Sequence, residues 1–420
     1  MKPPSSVAAA REPRALPRSA LAATLAIVAF VAVAATLAAR GDGSAPRTPD
    51  VRFTRVDSAA AALPGAATTA TAGAVAPSAA SAPAAPQQPA VVVAPTSLAP
   101  SATAAPEAVL YVDPAGDDRA SGAAAAPLRT VRRALALAQP GTAVRLNAGV
   151  YQEAIETVRA GEPARPIVIE SAPGARAVID GRGATLDGPR IVHSYVTLRG
   201  LEVRDMREGV RIEHAGAGAV LSDNLIHHVD NECVRLRFST RNARVERNVI
   251  HHCGLRGNGE GIYVGVAPEQ RAKNGGVADS STGNMIAHNE LYAVQEGIDV
   301  KEDAAGTSVV ANFVHDATDP NSGGINVRGD DNYIAANRSL RNAGAGFRVG
   351  GDIATHPLLG AGHAYGTHNT FVDNVAEANA GHGYKFMRGP QLADCSNTGA
   401  HNGGRLHYFD ETVAPFITCP

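Results

Sequence analysis

One phrase recurs through the second half of this chain. It reads "AVLSDNLIHHV", then "ARVERNVIHHC", "NMIAHNELYAV", "SVVANFVHDA", "NYIAANRSLRN" and "NTFVDNVAEAN". Each copy puts an asparagine in one slot: Asn224, Asn248, Asn289, Asn312, Asn337 and Asn374. A second phrase alternates with it: "EGVRIE", "ECVRLR", "EGIYVG", "EGIDVK", "GGINVR", "AGFRVG" and "HGYKFM". The spacing is about 22 to 28 residues, with two longer gaps. A strand-turn-strand unit of that length cannot bury its own apolar face, whereas stacked units can. The apolar residues are β-branched and alternate with a period of two rather than 3.6. An asparagine repeated at one slot can form an amide ladder up such a stack. The pattern predicts an all-β fold, a parallel β-solenoid with coils about 4.8 Å apart.

The repeat leaves the front of the 420-residue chain unexplained. Lys2, Arg11, Arg14 and Arg18 precede an apolar run at 21–39. That run is long for a cleaved signal and near the minimum for a spanning helix. Ala-Val-Ala at 32–34 offers a cleavage site, so residues 1–40 read as a signal anchor or a signal peptide. Either reading exports the remainder, to the periplasm or the cell exterior, with a membrane tether if the segment stays. Residues 41–108 are Ala, Pro, Ser, Thr and Gly with no sustained period, which reads as a disordered linker. Residues 109–420 then form one domain. A formal net charge of −2 gives no case for nucleic acid as a partner.

Within that domain, "PLRTVRRALALAQPGTAVRLNAGVY" holds an amphipathic helix near 130–138, ended by Pro-Gly. It would cover the open edge of the first coil as a cap. The opening "YVDPAGDDRASGAAAAPLRTVRRALALAQPGTAVRLNAGVY" and the asparagine coils resemble right-handed parallel β-helix proteins of the pectate-lyase-like superfamily. The resemblance runs from 109 to about 389. It implies a right-handed parallel β-helix with an N-terminal capping helix, and it leaves activity open, because that superfamily holds lyases, hydrolases, epimerases and adhesins.

Strand alternation assigns directions. The outward residues of the second phrase form two columns: Arg211, Arg235, Tyr263, Asp299, Asn326, Arg348, Lys385, and Glu213, Arg237, Gly265, Lys301, Arg328, Gly350, Met387. Seven of these fourteen are cationic and two are acidic, a local basic stripe suited to an anionic polymer. The chain uses 34 arginines and only four lysines, so Lys301 stands out. It shares a column with Arg328 on the next coil. A neighbouring cation lowers a lysine pKa, and lysine can lose its proton where arginine cannot. Glu208, Glu232, Glu260 and Glu296 open four coils, three of them before a glycine. Inward carboxylates are not tolerated, so these are placed in the turn, where they would bind Ca²⁺ or pair with arginines.

This constellation resembles family 6 polysaccharide lyases, the alginate lyase and chondroitinase B group. "EGIDVK" matches their calcium-binding Glu and base with Glu296 and Lys301, and "GINVR" matches their Arg with Arg328. The Lys-to-Arg spacing is longer here, and their further Glu is Val294, so Glu260 would supply a second ligand. The resemblance implies β-elimination on a uronate polysaccharide by Lys301 and Arg328, with Ca²⁺ on Glu296 and Glu260; Tyr263, one coil before Lys301, would stack on a sugar or donate a proton. Arg211, Arg235, Arg237, Asp299, Asn326, Arg348 and Lys385 would bind the substrate. Epimerisation at the same face, and a non-catalytic polysaccharide-binding protein, are the alternatives; a monomer suffices for each. Insertions at 266–282 and 351–367 would wall the cleft. His227-His228 and His251-His252 belong to an ordinary repeat phrase rather than a metal site. Cys395–Cys419 is favoured as a disulfide over Cys233–Cys253.

Overall fold

A computed structural model describes residues 105–417 apart from 215, 258 and 352–364. The 1–40 segment and most of the 41–108 linker therefore lie outside the described residues. Among those described, no helix is long and apolar enough to cross a membrane.

Each complete coil contributes one strand to each of three parallel sheets. The first sheet has eleven strands, from Ala108–Val112 to Leu392–Ala393. The second has nine, from Gly149–Tyr151 to Val375–Glu377. The third also has nine, from Arg190–Ile191 to His407–Phe409. Inward residues stack in columns, as a period of two requires. On the first sheet the column runs Leu198, Leu221, Val245, Ile286, Val309, Ile334, Phe371. On the third it runs Val210, Val234, Ile262, Ile298, Ile325, Phe347, Tyr384. All fourteen are fully buried. Burial of each such side chain contributes about 1.5–3 kcal/mol.

The corner between the first and second sheets explains the repeated asparagine. The residue before each ladder Asn is left-handed: Asp223, Arg247, His288, Ala311, Ala336 and Asp373 all have φ between 54° and 58°. This turns the chain, and the Asn that follows faces the next coil. Its Nδ2 donates to the next Oδ1 at 2.9–3.0 Å from Asn224 through Asn248, Asn289, Asn312, Asn337 and Asn374. The ladder continues to Asn397 at 2.9 Å. Each Oδ1 also accepts a backbone N–H from the preceding coil, as Asn289 does from Asn248 at 3.0 Å. A second ladder, Asn342–Asn379–Asn402, lines the next corner.

Helix α1, Val131–Leu137, packs against the first two strands of the first sheet through buried Val131, Ala134 and Leu135. Thr130 Oγ1 accepts the Arg133 N–H at 3.1 Å. Glu153 accepts those of Val131 and Arg132, which meets the needs of the helix N-terminus. The less favoured cysteine pair is joined as well. Cys233 and Cys253 are bonded, with Cα atoms 5.5 Å apart. They sit at different points of the repeat but at one corner of consecutive coils, so the bond staples coil to coil. Cys395 is also in a disulfide, and Cys419 lies outside the described residues.

Replacing Asn289 tests the ladder. Asn289→Ala removes the acceptor of two Asn248 donors and the donor to Val245 O (2.8 Å). Leaving such buried groups unpaired should cost on the order of 2–4 kcal/mol in urea denaturation. Asp223→Ala, at the exposed position of the same corner, should cost far less.

Candidate active site

The register joins the predicted outward column residue by residue. Arg211 lies opposite Arg235, then Tyr263, Asp299, Asn326, Arg348 and Lys385 on successive coils. It is not a free basic stripe. Arg211 pairs with Asp187 at 3.3 Å. Buried Arg235 sits between Glu208 and Glu232. Arg237 pairs with Glu213 at 3.0 Å and lies over the Phe238 ring. The early coils therefore answer their cations with carboxylates, Glu213 from the column itself and Asp187, Glu208 and Glu232 from neighbouring turns that a count of outward strand positions omits. Further along, Arg348 is buried and Lys385 half-buried, and among the described residues no carboxylate pairs with Lys385.

The glutamates reach the face by a different route from the one expected. Glu260 and Glu296 lie within the strands Glu260–Val264 and Glu296–Val300, opposite each other, rather than in the preceding turn. A Cβ on Gly261 would meet the core side chain of Leu291, and one on Gly297 that of Val314. The glycine and the isoleucine after it thus both face inward. The alternation slips by one residue and delivers each carboxylate to the outer face.

There they surround Asp299, which is fully buried. Lys301 Nζ donates to Asp299 Oδ2 at 2.6 Å and to Glu260 Oε1 at 2.8 Å. An Arg328 guanidinium nitrogen lies 3.1 Å from Asp299 Oδ2 and 3.3 Å from Glu296 Oε2. Asn326 Nδ2 donates to Glu296 at 2.8 Å, and its own Oδ1 accepts from Ser322 at 3.0 Å. Tyr263 lies below, with Lys301 Nζ 4.6 Å from its ring centroid, a cation–π contact. The Tyr263 Oη accepts the Ala267 N–H at 3.1 Å. Val300 pairs with Val327, so Lys301 and Arg328 do occupy equivalent places on successive coils.

This environment reverses the expected state of the lysine. Burial and Arg328 both disfavour the ammonium, but the Asp299 and Glu260 carboxylates outweigh them and hold the Lys301 pKa well above its ordinary value. Reading the Arg328 neighbour alone missed two carboxylates, one of which arrives only through the glycine slip. Asp299, despite burial, is held low by Arg328 and Lys301. Burial, then repulsion from Asp299, pushes Glu296 up to about 8. Burial keeps the Tyr263 phenol protonated far into the alkaline range.

Two contributors carry no motif. Glu302 is buried beside Lys301 in sequence, and burial raises its pKa against the pull of Arg328. Tyr365, at the end of the second insertion, is buried and feels Glu302, Arg388, Arg328 and Arg348. The first insertion begins over Tyr263 and is fastened to the turn after Lys301 by Arg271–Asp303 at 2.8 Å. Most of the second lies outside the described residues.

Glu260, Glu296 and Asp299 each bring one oxygen within 4.8 Å of the others. Glu260 Oε2 and Asp299 Oδ1 are buried without a hydrogen-bond partner. With Lys301 and Arg328 counted, three carboxylates against two cations leave one negative charge. Hard oxygen donors and unspent charge suit a Ca²⁺ ion.

Stacked three-sheet coils carrying a buried ion cluster on an outer face define a parallel β-helix protein with a charged surface site. The chain belongs to the Pel9A-like, right-handed β-helix family, whose model matches residues 110–411. It is similar in structure to an alginate lyase from Paenibacillus sp. str. FPU-7, with 22% identity and a TM-score of 0.60 over 72% of this chain and 99% of that one. It is similar also to the pectate lyase Pel9A, with 14% identity and a TM-score of 0.55 over 73% of this chain and 79% of that one. In sequence it resembles the uncharacterized protein YwoF of Bacillus subtilis (strain 168), 29% identical over 126 residues. That alignment spans 29% of this chain and 26% of YwoF.

The Glu296 proton makes stability depend on pH. The folded state keeps a proton that the unfolded chain releases in the ordinary carboxylate range. Its stabilisation is complete below that range and is lost as pH rises through about 8. The Tm should therefore fall across this interval, and more shallowly in Glu296→Gln, followed by thermal denaturation in a pH series.

Proposed function

We propose that this protein is an exported polysaccharide lyase that cleaves an anionic, uronate-containing polymer by β-elimination. The observation that carries this is the placement of Lys301 and Arg328 on successive coils about one buried carboxylate, above a protonated tyrosine. The two structural likenesses, to an alginate lyase and a pectate lyase, support the same reading. Disulfides suit an oxidising compartment outside the cytoplasm.

The chemistry follows from the charges. Arg328, always cationic, receives the uronate carboxylate and steadies the charge that develops when the adjacent carbon loses its proton. Lys301 takes that proton as a neutral amine. The bond from the ring to the glycosidic oxygen then breaks, and the leaving oxygen takes a proton from the Tyr263 phenol. The ammonium formed on Lys301 returns its proton to Tyr263, so the site resets with no net proton change. The products are an unsaturated uronate and a new chain end. Half-buried Lys385 extends the cationic path along later coils, while Arg211, Arg235 and Arg237 approach substrate only as members of ion pairs.

Asp299 and Glu260 hold the proton on Lys301, so the base form has to be created. Glu260, Glu296 and Asp299 are the residues that would hold Ca²⁺. The ion would take up the negative charge that keeps Lys301 protonated and help neutralise the uronate. Elimination should accelerate as pH rises, because the amine is the active form, and added Ca²⁺ should move that rise to lower pH.

The test is the ultraviolet absorbance of unsaturated uronate. The protein is incubated with alginate, pectate or chondroitin, with and without Ca²⁺. Activity on one polymer is expected, falling about 100- to 10,000-fold in Lys301→Ala, with no rescue by Lys301→Arg, which cannot give up its proton. Polymer whose NMR spectrum changes without new absorbance would replace elimination by epimerisation. Binding with neither change would leave a non-catalytic polysaccharide-binding protein.

A further inference from the structure

A separate group of imidazoles lies on the outer face of the second sheet, away from the Lys301 face. His227 and His251 are opposite one another on the strands Leu225–Val229 and Val249–Cys253. Their rings stack with centroids 4.9 Å apart. His228 and His252 follow in the left-handed conformation, with φ of 54° and 55°, and stack at 4.8 Å. Within each coil the rings are perpendicular and meet nitrogen to nitrogen. The His227 and His228 Nδ1 atoms are 2.6 Å apart, and those of His251 and His252 are 2.7 Å apart. The left-handed slot does not demand histidine, since Ala293, Asp316, Arg341 and Ala378 fill it in later coils.

Four imidazoles packed this closely cannot all carry charge. In each Nδ1–Nδ1 contact one nitrogen must donate and the other present a lone pair. Buried Glu202 decides the first pair. Its carboxylate lies 3.3 Å from His227 Nε2, so that nitrogen carries the hydrogen and Nδ1 is left as the acceptor. A carboxylate behind the far nitrogen is how metal-binding histidines are commonly oriented. Burial and the surrounding imidazoles lower the pKa of His227, and they push His251 down to about 4. The array is bounded by Arg204, answered by Asp180 at 3.1 Å, and by Tyr292, stacked on His251 at 4.8 Å.

We propose that His227, His228, His251 and His252 form a binding site for a first-row transition-metal ion of the Zn²⁺ type, with Glu202 as the orienting partner. One ring nitrogen from each of His227, His228 and His251 already lies within 4.8 Å of the others. A metal entering between the coils replaces the two Nδ1–Nδ1 hydrogen bonds. Each donor ring moves its hydrogen to Nε2, so no proton need leave the protein. Imidazole nitrogen selects Zn²⁺, Cu²⁺, Ni²⁺ or Co²⁺ over Ca²⁺, which separates this site chemically from the carboxylate cluster. The ion would clamp two coils from outside at the level where the Cys233–Cys253 bond joins them from within.

Zn²⁺ titration calorimetry on the full chain, carrying no polyhistidine tag, tests this. About one Zn²⁺ should bind with the histidines as ligands. This event should disappear in H227Q/H251Q and weaken about 10- to 100-fold in Glu202→Gln. Co²⁺ should give a visible absorption band that Zn²⁺ abolishes. Should the double variant fail to fold, His228→Ala at the exposed ring decides the matter through the same titration. Absence of Zn²⁺ binding by the wild-type chain, or an affinity unchanged in the histidine variants, overturns the proposal.

Discussion

A side-chain amide that donates to one coil and accepts from another sets the register of the whole molecule. A one-residue slip along a parallel ladder would turn inward residues outward. The chain of Nδ2–Oδ1 bonds from Asn224 to Asn397 blocks such slips at one corner. The Asn342–Asn379–Asn402 ladder does so at the next. With register fixed, Ile298 must stack on Ile262 and Ile325, and Asp299 must stand between Tyr263 and Asn326. The ion cluster is a consequence of that alignment.

The same rigidity makes a dense group of buried charges tolerable. Asp299, Glu260 and Lys301 are each nearly or wholly excluded from water. Isolated, such groups would neutralise rather than stay ionised. Here each ion meets an opposite charge supplied by a different coil, so the backbone stack holds the geometry and none of the partners must be ordered separately. The surplus negative charge is accommodated as a proton on Glu296. That proton and a bound cation are alternative answers to one electrostatic problem, which links metal affinity, pH and the state of Lys301.

Much of this was legible in the residues. The six ladder asparagines, the outward column and the equivalence of Lys301 with Arg328 follow from period and spacing alone. Helix α1 follows from its apolar face and the Pro-Gly that ends it. What escaped reading involves contacts across coils or a break in the period. The glycine slip at Gly261 and Gly297 moves the glutamates to the outer face, where alternation would bury them. Asp187, Glu208 and Glu232 come from turns and match arginines that looked available. The Cys233–Cys253 bond looked out of phase because Cys253 ends a second-sheet strand while Cys233 lies just before a third-sheet one, though they meet at one corner. Each of these depends on distance through space, which a one-dimensional period does not encode.

The charge on Lys301 is the centre of the account, and it can be observed directly. The chain has only four lysines, Lys2, Lys273, Lys301 and Lys385, so ¹⁵N-lysine labelling resolves the Nζ of each by NMR. In metal-free protein the Lys301 signal should remain that of an ammonium above the ordinary lysine range. Added Ca²⁺ should bring its titration to lower pH, and Glu260→Gln should do the same without the ion. A Lys301 already neutral near pH 7 in metal-free protein, or one indifferent to Glu260→Gln, would contradict the account.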